Sequence, residues 1–298
     1  MSTPPQAVLE LTRDHDASSE PQSSTYRTLM VHLEVGHSNP ALLRIAKDLA
    51  DRFHAGVVGI AGCQPMQLLY GGEYLTGDLV QQDRDTIASE LKIAEAEFRN
   101  VFRDHPEKVG WRSCVTFSPL SDYIAREARC ADLLITGVTN VVAFSETRHV
   151  NAGDLVMQAG RPVLVVPASV KSLGLKHTIV AWKDTREARR AIVDALPVLK
   201  ASDHVTVVGM AREDALAHVR AHLDDVVGWL ASHGVIAKPL AASCAGEDAD
   251  RLYDILREER ADLVVAGAYG HNRLREWALG GVTGDLLLCE DRCAFLSH

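Results

Sequence analysis

Ala131-Asp132-Leu133-Leu134-Ile135-Thr136-Gly137 returns later in the chain as Ala261-Asp262-Leu263-Val264-Val265-Ala266-Gly267. Each stretch is an acid followed by a compact apolar run that ends on glycine, the pattern of a strand buried on both faces of a parallel sheet. The likeness extends outward. Gly153-Asp154-Leu155 returns as Gly284-Asp285-Leu286, and Thr28-Leu29-Met30-Val31 is echoed by Thr178-Ile179-Val180-Ala181. The matches keep their order, and their spacing changes between the first strand and the fourth, so the first copy carries a longer insertion early on. The 298 residues then divide into a flexible tail at 1–25, a first domain at 26–170 and a second at 176–298. Two domains also fit a chain of this length, at roughly 100–200 residues per domain.

Each copy alternates short apolar runs with helix-period segments. Strands are expected at 27–34, 56–62, 111–117, 131–137 and 162–167, and again at 177–182, 204–210, 235–241, 261–267 and 293–297. Between them Ile87, Leu91, Ala94, Phe98 and Val101 share one helical face, as do Leu216, Val219, Leu223, Val226 and Leu230. Asn39-Pro40 offers a cap and a first-turn proline, Thr185 offers a second cap, and Pro197 should bend or end its helix. Strand–helix alternation implies a doubly wound α/β sheet with right-handed crossovers. Ligands of such sheets bind outside the carboxyl ends of the strands at the switch point, so the loops after the first and fourth strands are the ones to inspect.

Composition narrows the function. The chain is 47% hydrophobic, and its 31 Lys+Arg against 40 Asp+Glu leave a net charge of −9, which argues against a nucleic-acid partner. No run reaches the roughly 18–20 apolar residues of a membrane span, and no basic start leads into an apolar segment. A cytoplasmic protein is expected. The cysteines are scattered without a C-x-x-C pair and read as reduced, mostly buried small hydrophobes. Cys289, Cys293 and His298 could ligate zinc on paper, but a structural role is the simpler reading and no metal site is assigned. There is no P-loop, dinucleotide fingerprint or nucleophile elbow, so no catalytic residue is assigned either.

After the fourth strand of the second copy comes Gly267-Ala268-Tyr269-Gly270, then His271 to Leu279, then Gly280-Gly281-Val282-Thr283-Gly284. Gly267 and Gly270 allow close backbone approach, and Gly280-Gly281 opens an apolar helical run whose unpaired N–H groups suit phosphate. His271, Arg273 and Arg275 add charge-assisted donors. Tyr269 and Trp277 either stack on a base or cover the loop's own apolar underside. Asp132 and Asp262, each opening a strand, read as turn or cap residues.

The glycine spacing Gly267, Gly270, Gly280 resembles the nucleotide loop of the universal stress proteins. The Thr178–Trp182 and Ala261–Gly267 strands and the Cys293–His298 segment are similar to that family as well, and the resemblance covers both copies. It implies a tandem universal stress protein: two flavodoxin-like (Rossmann-like) domains, each a five-stranded, mainly parallel sheet with helices on both faces, packed through their last strands as a pseudo-dimer. It further implies a stress-response role with an adenine nucleotide, ATP with or without Mg, as a regulatory ligand rather than a substrate, at most slowly hydrolysed. Homodimers of tandem chains and an unidentified protein partner follow from the same resemblance. The implied binding residues are Ala181, Trp182, Lys183 and Asp184 after the first strand, Gly209 and Met210 after the second, and Gly267, Gly270, His271, Arg273, Gly280, Gly281, Val282 and Thr283 along the loop.

Two departures open an alternative. The family's loop has Ser or Thr after its last glycine, where this chain has Gly281 and only then Thr283. Its first strand ends on Asp, where this chain has Lys183, with Asp184 next. In the first copy His149 and Val150 replace the glycine pair and Glu34 takes the Asp position, so that site is expected to be blocked. A nucleotide-free dimeric scaffold or interaction module is the competing reading. Residues 64–85 are expected to form an oversized loop, either a lid or partner surface or a variable insertion.

Overall fold

A computed structural model describes residues 25–65, 77–104, 108–138, 148–244, 248–268 and 291–298. The first half runs β1 (Thr28–His32), α1 (Pro40–Phe53), β2 (Gly56–Cys63), α2 (Gly77–Val101), β3 (Val109–Val115), α3 (Leu120–Glu127), β4 (Leu133–Val138), α4 (Ala152–Gln158) and β5 (Val163–Pro167). The second runs β6 (His177–Trp182), α5 (Arg186–Asp194), α6 (Leu196–Lys200), β7 (His204–Ala211), α7 (Leu216–Ser232), β8 (Ala237–Ser243), α8 (Asp248–Glu258), β9 (Leu263–Gly267) and β10 (Cys293–Ser297).

All ten strands join one sheet in the order β3-β2-β1-β4-β5-β10-β9-β6-β7-β8. Within each half the order is that of a doubly wound sheet, with the switch point between its first and fourth strands, β1/β4 and β6/β9. Every pairing is parallel except β5·β10, which is antiparallel, with Phe295 opposite Leu164. The outer edge of β5 is therefore covered by the chain's own last strand, β10.

The core follows from period-two alternation across this sheet. On one face Leu43, Leu49 and Phe98 from α1 and α2 continue through Leu164 and Phe295 to Val180, Leu199, Leu223 and Leu230. On the other, Ile124 and Leu155 from α3 and α4 continue through Val163 and Leu296 to Val264, Leu252 and Ile255. Both faces cross the join without a break. Phe295 is fully buried, and its burial contributes about 1.5–3 kcal/mol to holding the halves together.

Asp132 and Asp262 do more than begin their strands. The Asp132 carboxylate accepts hydrogen bonds from the backbone N–H groups of Arg27 (2.7 Å) and Thr28 (2.9 Å), while its own N–H donates to the Thr28 carbonyl at 2.8 Å. Asp262 repeats this with the N–H groups of Lys176 (3.0 Å) and His177 (3.2 Å), and donates to the His177 carbonyl. Each acid clamps the start of the first strand of its half to the start of the fourth.

Several expectations shift. Residues 77–85 form the opening turns of α2 rather than loop, because the helical apolar face that includes Ile87 and Leu91 is extended backward by residues compatible with helix. Of the expected 64–85 loop, residues 66–76 lie outside the described residues. β3 starts before residue 111 and β8 after residue 235, since their pairing with β2 and β7, not the apolar run, sets their ends. Asn39 stands at the α1 N-cap but makes no capping bond; its amide instead accepts from Glu34 N–H and donates to the carbonyls of Glu34 and His37. Thr185 does cap α5, accepting from Ala188 N–H at 3.3 Å, and the break between α5 and α6 falls beside Pro197.

Replacing Asp132 or Asp262 by Ala leaves two strand-end N–H groups without their charged acceptor. Each substitution should cost about 1.5–3 kcal/mol in denaturant unfolding; a loss under half a kilocalorie, roughly the level of an ordinary surface change, would show that the clamp contributes little.

Candidate functional site

The β6/β9 switch point gathers the candidate residues that lie within the described structure. Ala181 sits opposite both Val208 and Ala266, and Trp182 sits opposite Gly209, so the carboxyl ends of β6, β7 and β9 are level. Lys183 and Asp184 follow β6 into solvent, with Asp184 3.8 Å from Arg189. Met210 is half-buried against the α8 face of the sheet. Gly270, His271, Arg273, Gly280, Gly281, Val282 and Thr283, together with Tyr269, Trp277 and Cys289, lie outside the described residues.

The first turn of α5 closes on this point. A Cβ on Gly267 would stand 2.4 Å from the Ala188 backbone nitrogen and 2.5 Å from the Glu187 carbonyl carbon. Glycine is needed there to admit the helix. Gly209 is similar, since its Cβ would meet Val219 Cγ1 at 2.7 Å. Packing thus accounts for two positions that the sequence assigns to a ligand. Beside Gly267, Glu187 is buried and contacts Arg186. Burial pushes its carboxyl up, yet hydrogen bonds from Arg186, from its own backbone N–H and from the Thr185 hydroxyl more than offset this and hold it below the usual carboxylate range. The Trp182 indole N–H is buried with no hydrogen-bond partner among the described residues.

His298 Nδ1–H donates to the Ala268 carbonyl oxygen at 3.1 Å, at the rim of this point. Cys293 begins β10 and His298 follows its end, about 16 Å apart at 3.3 Å per residue, too far for a shared zinc ion. Burial pushes the Cys293 thiol up to about 12, which fits an inert structural role. Cys130, by contrast with the expectation of burial, is exposed.

The equivalent point of the first half is filled by side chains. Glu34 and His149, the two residues expected to block this point, come together with Oε1 and Nδ1 3.5 Å apart, both nearly buried. Arg148 bridges to Glu90 at 3.0 Å, to the Gln64 carbonyl at 3.0 Å and to Asp83 at 3.5 Å, tying α2 to the lead into α4. Beneath them His32 Nδ1 lies 2.9 Å from Thr136 Oγ1. Burial drives the His32 imidazole down to about 4; Glu34 opposes the shift and His149 adds to it. Sequence reading missed the Arg148 bridges, which depend on where α2 begins.

No protein-family model matches the sequence, and no curated protein matches it. Solved structures do. A universal stress protein from Archaeoglobus fulgidus DSM 4304 superposes with a TM-score of 0.58 at 14% identity, over 91% of this chain and 95% of its own. A functionally unknown protein from Pseudomonas aeruginosa PAO1 matches with a TM-score of 0.57 at 13% identity, over 91% of this chain and 92% of its own. The likeness is one of fold, and it spans both halves.

Two outcomes follow from this geometry. Gly267→Ala should lose about 1–3 kcal/mol of stability by forcing α5 outward, while Gly137→Ala, whose Cβ would meet only the Val166 carbonyl at 3.9 Å, should be near neutral; equal effects would mean that α5 is not seated on Gly267. His32 is neutral in the fold and takes up its proton on unfolding, so the unfolded state binds more protons at acid pH. Stability should fall by up to about 1.4 kcal/mol per pH unit between about 6.5 and about 4, and unfolding curves of His32→Asn should lack that component.

Proposed function

We propose that the chain is a tandem universal stress protein whose second half binds an adenine nucleotide, ATP in the first instance, as a regulatory ligand that it does not turn over or hydrolyses only slowly. The observation that carries this reading is the adjacency of the β6 and β9 ends, Ala181 opposite Ala266, which sets the start of Lys183-Asp184 level with Gly267, the first glycine of the Gly267, Gly270, Gly280 spacing. Lys183 is exposed there and suits a phosphate, and the nearby Glu187 charge is already matched by Arg186. Among the described residues no group of three His, Cys, Asp or Glu side chains is arranged to hold a metal. A magnesium ion would therefore come with the phosphates, whose charge it neutralises.

The full-length fold likeness to a universal stress protein supports the stress-response part of the reading. No helix among the described residues is long and apolar enough to cross a membrane. Docking of a second folded tandem chain, or of a protein partner, has to use a surface other than the β5 edge, which β10 already covers in the folded chain. A nucleotide-free scaffold is the second reading, and the contact of Gly267 with α5 favours it, because that glycine then has a purely structural reason.

Mass spectrometry of small molecules released from gently purified protein, with calorimetric titration of ATP and ADP, separates the two. Near-stoichiometric adenine nucleotide is expected, and Gly280→Val should abolish affinity while the unfolding curve is retained. Unchanged affinity in that variant would move the site elsewhere, and an empty protein with no heat of binding would leave the scaffold.

A further inference from the structure

α7 is a 17-residue helix seated on the sheet by Leu223 and Leu230, which are buried, and by Val219 and Val226 beside them. The remaining stripe faces outward, and His218 and His222 lie on it one turn apart. Their ring centroids are 4.1 Å apart with the planes at 61°. His218 is exposed and His222 half-buried. Among the described residues neither imidazole makes a hydrogen bond or ion pair, so both keep their nitrogens available. Asp225, also exposed, continues the same stripe one turn further on, and the spacing of three and four residues keeps all of these side chains neighbours.

We propose that His218 and His222 form a chelating site for a divalent transition-metal ion on the outer face of α7. Imidazole nitrogens select zinc, nickel or copper over calcium and magnesium, which prefer oxygen. Two rings this close can each turn about their side-chain torsions to point one nitrogen at a shared ion roughly 2.0–2.1 Å away. The helix supplies the pre-organisation, since its inner face is locked into the core. Water fills the remaining positions. The sequence signal for it is the His-x-x-x-His spacing on a helical segment.

The site is independent of the nucleotide reading and is tested on the full chain without nucleotide. Zinc is titrated calorimetrically, and thermal unfolding is followed with and without the metal. One zinc ion per chain and a raised Tm are expected, because an ion that binds only the folded helix stabilises it. Removing one arm of the chelate, by His218→Ala or His222→Ala, should weaken binding about a hundredfold. His204→Ala, which removes an exposed histidine elsewhere, should change nothing. Both substituted histidines lie on the outer stripe, so the unfolding curves without metal should match the parent. Absence of saturable binding, or binding that survives both α7 substitutions, overturns the proposal.

Discussion

Everything else in the molecule depends on the antiparallel contact between β5 and β10. Each half is a parallel sheet whose last strand has one unpaired side, with buried apolar residues on both faces of it. Left open, such a strand exposes both a row of backbone donors and acceptors and the ends of two cores. Joining the two last strands removes both costs at once. The ladder gains the bonds around Phe295 and Leu164, and the helical layers on either side close over one continuous sheet. A longer apolar layer also explains why Tyr26, from the start of the first half, is buried with its hydroxyl donating to the Asp194 carbonyl of α5 at 2.7 Å.

The two switch points show what a repeated fold does with one position when the side chains diverge. In the second half a helix start comes down on Gly267 and leaves Lys183 and Asp184 facing outward. In the first, a Cβ on Gly137 would meet only the Val166 carbonyl among the described residues, and Glu34, His149 and the Arg148 bridges come together instead. Arg148 is half-buried and meets two carboxylates, Glu90 at 3.0 Å and Asp83 at 3.5 Å, so its charge is matched where it stands.

Much of this was legible in the residues. The Ala131 and Ala261 stretches mark the buried central strands because burial on both faces writes an uninterrupted apolar run, and the order of the repeats fixes the rest. Strand ends were less legible where register rather than hydrophobicity decides, as at β3 and β8. The start of α2 was hidden because Gly77 to Asp85 carries only one adjacent apolar pair, Leu79-Val80, and no helical apolar period of its own. Asn39 has the right residue type for a cap, but a nearby Glu34 backbone competes for its amide. At the site, sequence could name the glycines yet not their reason: whether a missing Cβ admits a ligand or a helix is settled only by what packs against it. The Asp132 and Asp262 clamps were visible as acids opening strands, without the partners that give them their effect.

The join also has a history in time. β5 ends at Pro167 and β10 begins at Cys293. At a synthesis rate of about 5–20 residues per second, the first half waits on the order of ten seconds for the strand that completes its sheet. During that interval its open edge is a template for any β10 within reach, including one on a neighbouring nascent chain. The strand that fuses two halves into one body is thus also the segment through which two chains would most readily trade halves, giving a swapped dimer with the same contacts and a different connectivity.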